Sequence, residues 1–178
     1  MRLIYYLLIF LLMPSYCLSG TIKNIETCKL NEGREIKLIS LRTIDGDTPY
    51  LVFDNVIMNA FLDGSITSGD LVLSECINHS LIFALNYGSP YINGCLITGL
   101  IARTKVEDEP DGFCFAERHT PESVWFGKKN TLVIIRNNNA VGEWQGRYII
   151  YDNKKETYSS DNLPDASGYK IYNLSNVW

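Results

Sequence analysis

Histidine is scarce. His79 and His119 are the only two in 178 residues. A serine-type triad needs one of them beside a nucleophile, yet no G-x-S-x-G accompanies either. Both read as loop or surface residues. Their spacing is not that of two ligands on one element, so no metal site is expected. No two cysteines stand as C-x-x-C, which removes the usual pattern of redox catalysis and of zinc ribbons. Basic charge is also short, with 16 Lys+Arg against 20 Asp+Glu and a net of -4. That balance argues against nucleic acid or an anionic membrane surface as a partner.

Motif fragments fail for the same kind of reason. Gly64-Ser-Ile-Thr-Ser-Gly69 has the glycine spacing of a phosphate loop but continues into Asp70-Leu71. An anion stands where the phosphate-facing cation belongs, so neither a nucleotide nor another cofactor is expected. Asp45-Gly-Asp47 lacks the third acid and the terminal Glu of a calcium loop. Ser167-Gly-Tyr-Lys170 fits S-x-x-K, but no K-T-G exists to complete that chemistry.

The chain opens with Arg2 and an unbroken apolar run of eleven residues, Leu3 to Met13, broken by Pro14 and followed by small residues. These are the three parts of a secretory signal peptide. Eleven residues rise only about 16 Å as a helix, short of a hydrocarbon core of about 30 Å. The expected division is therefore a signal peptide over 1–19 and a domain over 20–178. No later stretch is long and apolar enough to span a membrane. Cleavage after Ser19 removes Cys17 and leaves Cys28, Cys76, Cys95 and Cys114. Four cysteines in an oxidising compartment read as two disulfides with three possible connectivities. The favoured pairing is Cys95 with Cys114 and Cys28 with Cys76. The expected location is periplasmic or secreted.

An apolar share of 46% excludes a disordered chain. The apolar period is mostly two, as in Glu35 to Leu41 (EIKLISL), Asp70 to Cys76, Ser80 to Tyr87, Thr131 to Arg136 and Gly146 to Asp152. Asp45-Gly46 between two such runs is a hairpin signal, because the tight turn requires positive φ. Gly94 to Ala102 (GCLITGLIA) reads as a buried central strand. Val106 to Gly112 (VEDEPDG) reads as a polar loop. Many short strands with frequent turns indicate a mainly β fold, a single antiparallel sandwich or barrel-like domain. There is room for one short helix, near Val56 to Leu62 or Pro121 to Val124.

Two features are candidate contacts. Glu107, Asp108, Glu109 and Asp111 form the densest charge cluster, a solvated loop or an acidic contact for a basic partner. Trp125 and Trp144 each stand beside glycine and polar residues, as core aromatics or as a contact surface. Asn78-His-Ser80 and Asn173-Leu-Ser175 match the N-glycosylation pattern. The expectation is an exported, non-enzymatic binding protein, inhibitor or immunity-type, with a protein or polysaccharide partner. The alternatives are a secreted hydrolase using carboxylates or His119, and a structural subunit of a surface appendage.

Overall fold

In the computed structural model the described residues are 20–31, 33–88, 91–102, 108–138 and 144–175. The expected signal peptide, 1–19, lies outside them. Thirteen strands form, and no helix is present among the described residues. Sheet A holds β1 (Thr21–Lys29), β2 (Glu35–Thr43), β3 (Gly46–Phe53) and β4 (Val56–Asn59) in sequence order. Sheet B holds β5 (Asp70–Ile77), β6 (Ser80–Asn86), β7 (Ile92–Ala102) and β8 (Asp108–Glu117), also in sequence order. Sheet C comprises β9 (Pro121–Gly127), β10 (Thr131–Arg136), β11 (Tyr148–Asp152), β12 (Tyr158–Ser160) and β13 (Tyr169–Asn173), in the order β12-β11-β10-β9-β13. All the pairings are antiparallel.

Turn chemistry sets the hairpins. Gly46 takes φ 113° after Asp45, where the sequence predicts the β2–β3 turn. Asp54 and Asn55 (φ 47° and 65°) turn β3 into β4, and Asn78 and His79 (φ 45° and 58°) turn β5 into β6. Two consecutive left-handed residues give the turn whose twist matches paired strands, and Asp and Asn tolerate that region best. The first of these turns makes Val56–Asn59 a returning strand rather than a helix. The second proposed helix, Pro121 to Val124, is the start of β9, with Pro121 opposite Ile135. A strand's first residue is a place where proline costs no ladder bond.

The three sheets stack as layers with sheet B in the middle. On β6 the side chains of Leu81, Phe83 and Leu85 enter a core with Ile36, Leu38, Leu51 and Phe53 of sheet A. Ile82 and Ala84, one residue out of phase, enter a second core with Val124, Val133, Ile135 and Ile149 of sheet C. Period two therefore feeds both sides, and β6 is buried from Ser80 to Leu85. Burying each such Leu, Ile or Phe contributes about 1.5–3 kcal/mol, so the uninterrupted run Leu-Ile-Phe-Ala-Leu specifies a middle layer. β7 is buried on both sides in the same way, with Cys95 and Ile97 in the first core and Ile92 and Leu96 in the second. Gly94 faces the Phe115 ring there, and a Cβ would stand 2.7 Å from its tip and collide with the Phe83 carbonyl.

Both expected disulfides are present. Cys95 and Cys114 are ladder partners within sheet B, and Cys28–Cys76 ties β1 of sheet A to β5 of sheet B.

Sheet C is closed on its far side by its own chain. β12 and β13 lie at opposite edges of that five-stranded sheet. The eight residues 161–168 must therefore cross it, and sheet B already covers the inner face. Eight extended residues reach about 27 Å, against about 19 Å for four strand spacings. Under this strap, Trp125, Leu132, Ile134 and Ile150 are at most 4% exposed.

Candidate functional site

Sheet A has an outer face too. Its inner positions are Ile36, Leu38, Leu51 and Phe53, so the alternate phase points away from the molecule. Ladder registers align that phase into rows. Ile22 stands opposite Leu41, Ile39 lies between Asn24 and Tyr50, and Val52 lies between Lys37 and Ile57. Six apolar side chains thus share one four-stranded surface. None of the six is buried, and Ile22 and Ile57 at its edges are 69% and 61% exposed. The polar side chains at the rim are occupied locally. Thr48 Oγ1 and Ser68 Oγ share a 2.6 Å hydrogen bond, and Asn59 Nδ2 donates to the Ser65 carbonyl at 2.7 Å. An apolar centre with a polar rim is the anatomy of a contact surface.

The residues singled out in the sequence lie elsewhere. Glu107 falls outside the described residues. Asp108, Glu109 and Asp111 are not in a loop: they lie on β8, opposite Ala102, Ile101 and Gly99 of β7. β8 is an edge of sheet B. Charge and proline on an edge discourage pairing with another chain, which accounts physically for Asp-Glu-Pro-Asp in a strand. Asp111 also borders a cavity of about 200 Å3 at the seam of sheets A and B, lined by Leu30, Asn31, Arg34, Thr98 and Leu100. Arg34 is engaged there, 3.2 Å from Asp54 and 4.1 Å over the Phe53 ring. The cavity is smaller than the roughly 300 Å3 at which sites for drug-sized ligands begin.

The two candidate tryptophans are buried and half-buried. Trp125 is 4% exposed, and its Nε1 donates to Ser123 Oγ at 2.9 Å. Trp144 packs against the second core, and its carbonyl accepts from Asn137 Nδ2. His79 serves the β5–β6 turn, with Nδ1 3.2 Å from the Lys29 carbonyl. His119 follows β8, and its enclosed Nε2 meets no hydrogen-bond partner among the described residues. A general base in a triad is oriented through both ring nitrogens. Among the described residues, no group of three or more His, Cys, Asp or Glu could hold a metal ion, and no helix is long and apolar enough to cross a membrane.

Tyr158 and Asp165, on either side of the crossing over sheet C, have displaced proton affinities. Burial raises the Tyr158 phenol above its ordinary value, with the Asp152 charge and Tyr169 adding to it. Hydrogen bonds from the Ser167 side chain and backbone lower the exposed Asp165 carboxyl.

The outer face of sheet A has a sequence signal of its own. Its signal is the second apolar phase: Ile39 and Leu41 between Leu38 and Arg42, and Tyr50 and Val52 around Leu51. A strand with apolar residues in both phases has two faces to cover. No family model matches the chain, and no curated protein or solved structure matches it either.

Proposed function

We propose that this chain is exported and acts without catalysis, by binding a protein partner across the outer face of sheet A. The observation that carries the reading is the contrast between the two ends of the stack. Sheet C buries its outer apolar side chains Trp125, Leu132, Ile134 and Ile150, whereas on sheet A none of Ile22, Ile39, Leu41, Tyr50, Val52 and Ile57 is buried among the described residues. Leaving an apolar face wet forgoes about 25 cal/mol for each Å2, so such a face suits a role in contact. Export is supported by the leader pattern at 1–19 and by two disulfides, which persist in oxidising compartments.

A flat apolar face favours protein over polysaccharide, whose hydroxyls need polar partners within the site. The inhibitor or immunity-type version fits this surface without requiring the acids of β8 as the contact. The test is affinity capture from the exported fraction with three baits: the unaltered chain, Ile57→Asp, and Glu109→Gln. The reading expects Ile57→Asp to lose the bound protein and Glu109→Gln to keep it. Equal capture by all three would remove the outer face of sheet A from the function. N-terminal sequencing of the exported product tests the leader, with Gly20 as the expected first residue.

A further inference from the structure

We infer that the exported chain is an N-glycoprotein whose two glycans, on Asn78 and Asn173, stand at one corner of the layers. The inference rests on the reading of export and is independent of which protein the chain binds. Asn78-His-Ser80 and Asn173-Leu-Ser175 are its two matches to N-x-[ST]. Far apart in the chain, they meet in the fold. The hydroxyl of Tyr172, the neighbour of Asn173, donates to Asn78 Oδ1 at 3.1 Å across 94 residues of sequence. Ser175 is tied back to β5, where its N–H and hydroxyl donate to Glu75 Oε1 at 2.7 and 2.9 Å. Both motifs therefore lie where an edge strand of sheet B, β5, meets an edge strand of sheet C, β13.

The bonding at Asn78 suits the chemistry. The co-substrate is a lipid diphosphate-linked oligosaccharide. Its first sugar forms a C1–N bond to the Asn Nδ2 as the C1–O bond to the diphosphate breaks. The lipid diphosphate leaves with the bonding electrons, Nδ2 gives up one proton, and nothing is oxidised or reduced. Oδ1 stays a carbonyl oxygen throughout. At Asn78 both contacts fall on that oxygen, from Tyr172 and from Lys170 Nζ at 3.3 Å. An ammonium can only donate, which fixes Oδ1 as the bonded atom and leaves Nδ2 for the sugar. The packing of β13 on this turn is therefore compatible with a glycan. Ser80 is 1% exposed, whereas Ser175 is exposed. The motif includes that hydroxyl, so transfer at Asn78 precedes the packing of β6.

Asn173 is exposed and lies two residues beyond Ile171, the ladder partner of Trp125. It shares the outer face of sheet C with that tryptophan. A glycan there stands at the end of the stack opposite sheet A and leaves the outer face of sheet A clear. The edge itself shows what the glycan adds. β8 guards its edge with acids and proline, and β12 is only three residues long. β13 (YKIYN) has Lys170 as its single charge and no proline. A bulky, hydrophilic glycan on Asn173 supplies the block to edge pairing that the side chains of this strand lack.

The test is intact-mass spectrometry of the natural exported product, before and after the amidase that releases N-glycans and converts each glycosylated Asn to Asp. The expected result is a heterogeneous mass above that of residues 20–178 that collapses to the bare chain on treatment. Peptide mapping is expected to place the conversion at Asn78 and Asn173. Ser175→Ala, made in the natural host, leaves Asn173 in place and is expected to lose one glycan of the two. Ser175→Thr is expected to keep both. Light scattering of the folded product is expected to rise with time once the glycans are removed. A product that has lost its leader and has the bare mass overturns the inference but leaves export standing. A bare product that retains residues 1–19 overturns both. Conversion at a single Asn overturns the paired corner, and a glycan count unchanged in Ser175→Ala overturns Asn173 as a site. Unchanged scattering after release overturns the guarding of β13.

Discussion

Cys28 on β1 and Cys76 on β5 join two different layers, 48 residues apart in the chain. Cys95 and Cys114, 19 apart, join strands that the β7–β8 ladder already holds together. In the chain-entropy account, loops of these lengths contribute about 4 and about 3 kcal/mol. Replacing Cys28 and Cys76 together by Ala is therefore expected to destabilise more than replacing Cys95 and Cys114. Urea unfolding of the two double variants measures the order. A larger loss from the Cys95/Cys114 pair would mean that the hairpin, and not the tie between layers, limits stability.

The acids of β8 give a second prediction. If they guard the free edge of sheet B, replacing Glu109 and Asp111 together by Val leaves unfolding stability nearly unchanged, within about 1 kcal/mol, but makes the folded protein associate edge to edge. Light scattering against time and concentration reads this. A double variant that stays as soluble as the parent removes the guarding role.

Trp125 and Ser123 give the third. Ser123→Ala leaves the buried indole N–H without its acceptor, at a cost of about 1–3 kcal/mol. The same change would be close to silent if Trp125 were a solvent-facing contact residue. Denaturant midpoints of Ser123→Ala against the parent decide between these.

Much of the layered core is legible in the sequence because burial on both sides erases the alternation. Leu81–Leu85, Gly94–Ile97 and Leu132–Ile135 are continuously buried, and each reads as an unbroken apolar run. Three such runs need more covering than one pair of sheets supplies, and the third layer is the answer to that excess. β1 was not legible, because six of its nine residues are polar or charged and it buries only Cys28 fully. β8 was misread as a loop because an exposed edge selects Asp, Glu and Pro, the residues that otherwise mark turns. The outer face of sheet A was hidden for a different reason. Ile39, Leu41, Tyr50 and Val52 look like any strand residues until the registers put them together in the phase opposite the core residues Leu38 and Leu51.

Tyr158, on the edge strand β12 of sheet C, makes stability fall in alkali. Tyr158 is held protonated above its ordinary value of 10.0, first by burial and then by the negative charge of Asp152 and by Tyr169. The unfolded chain has neither environment, so its phenol ionises near the ordinary value. Between those two pKa values the folded state binds more protons than the unfolded state, and stability therefore falls as pH rises. The contribution is complete below pH 10 and is lost as the pH climbs through the raised folded value. Tyr158→Phe removes the titrating group and should flatten that part of the stability profile. The ultraviolet difference titration between the variant and the parent should show the missing phenol ionising above the ordinary value. If the missing phenol instead titrates at the ordinary value, Asp152, Tyr169 and partial burial do not hold the Tyr158 proton.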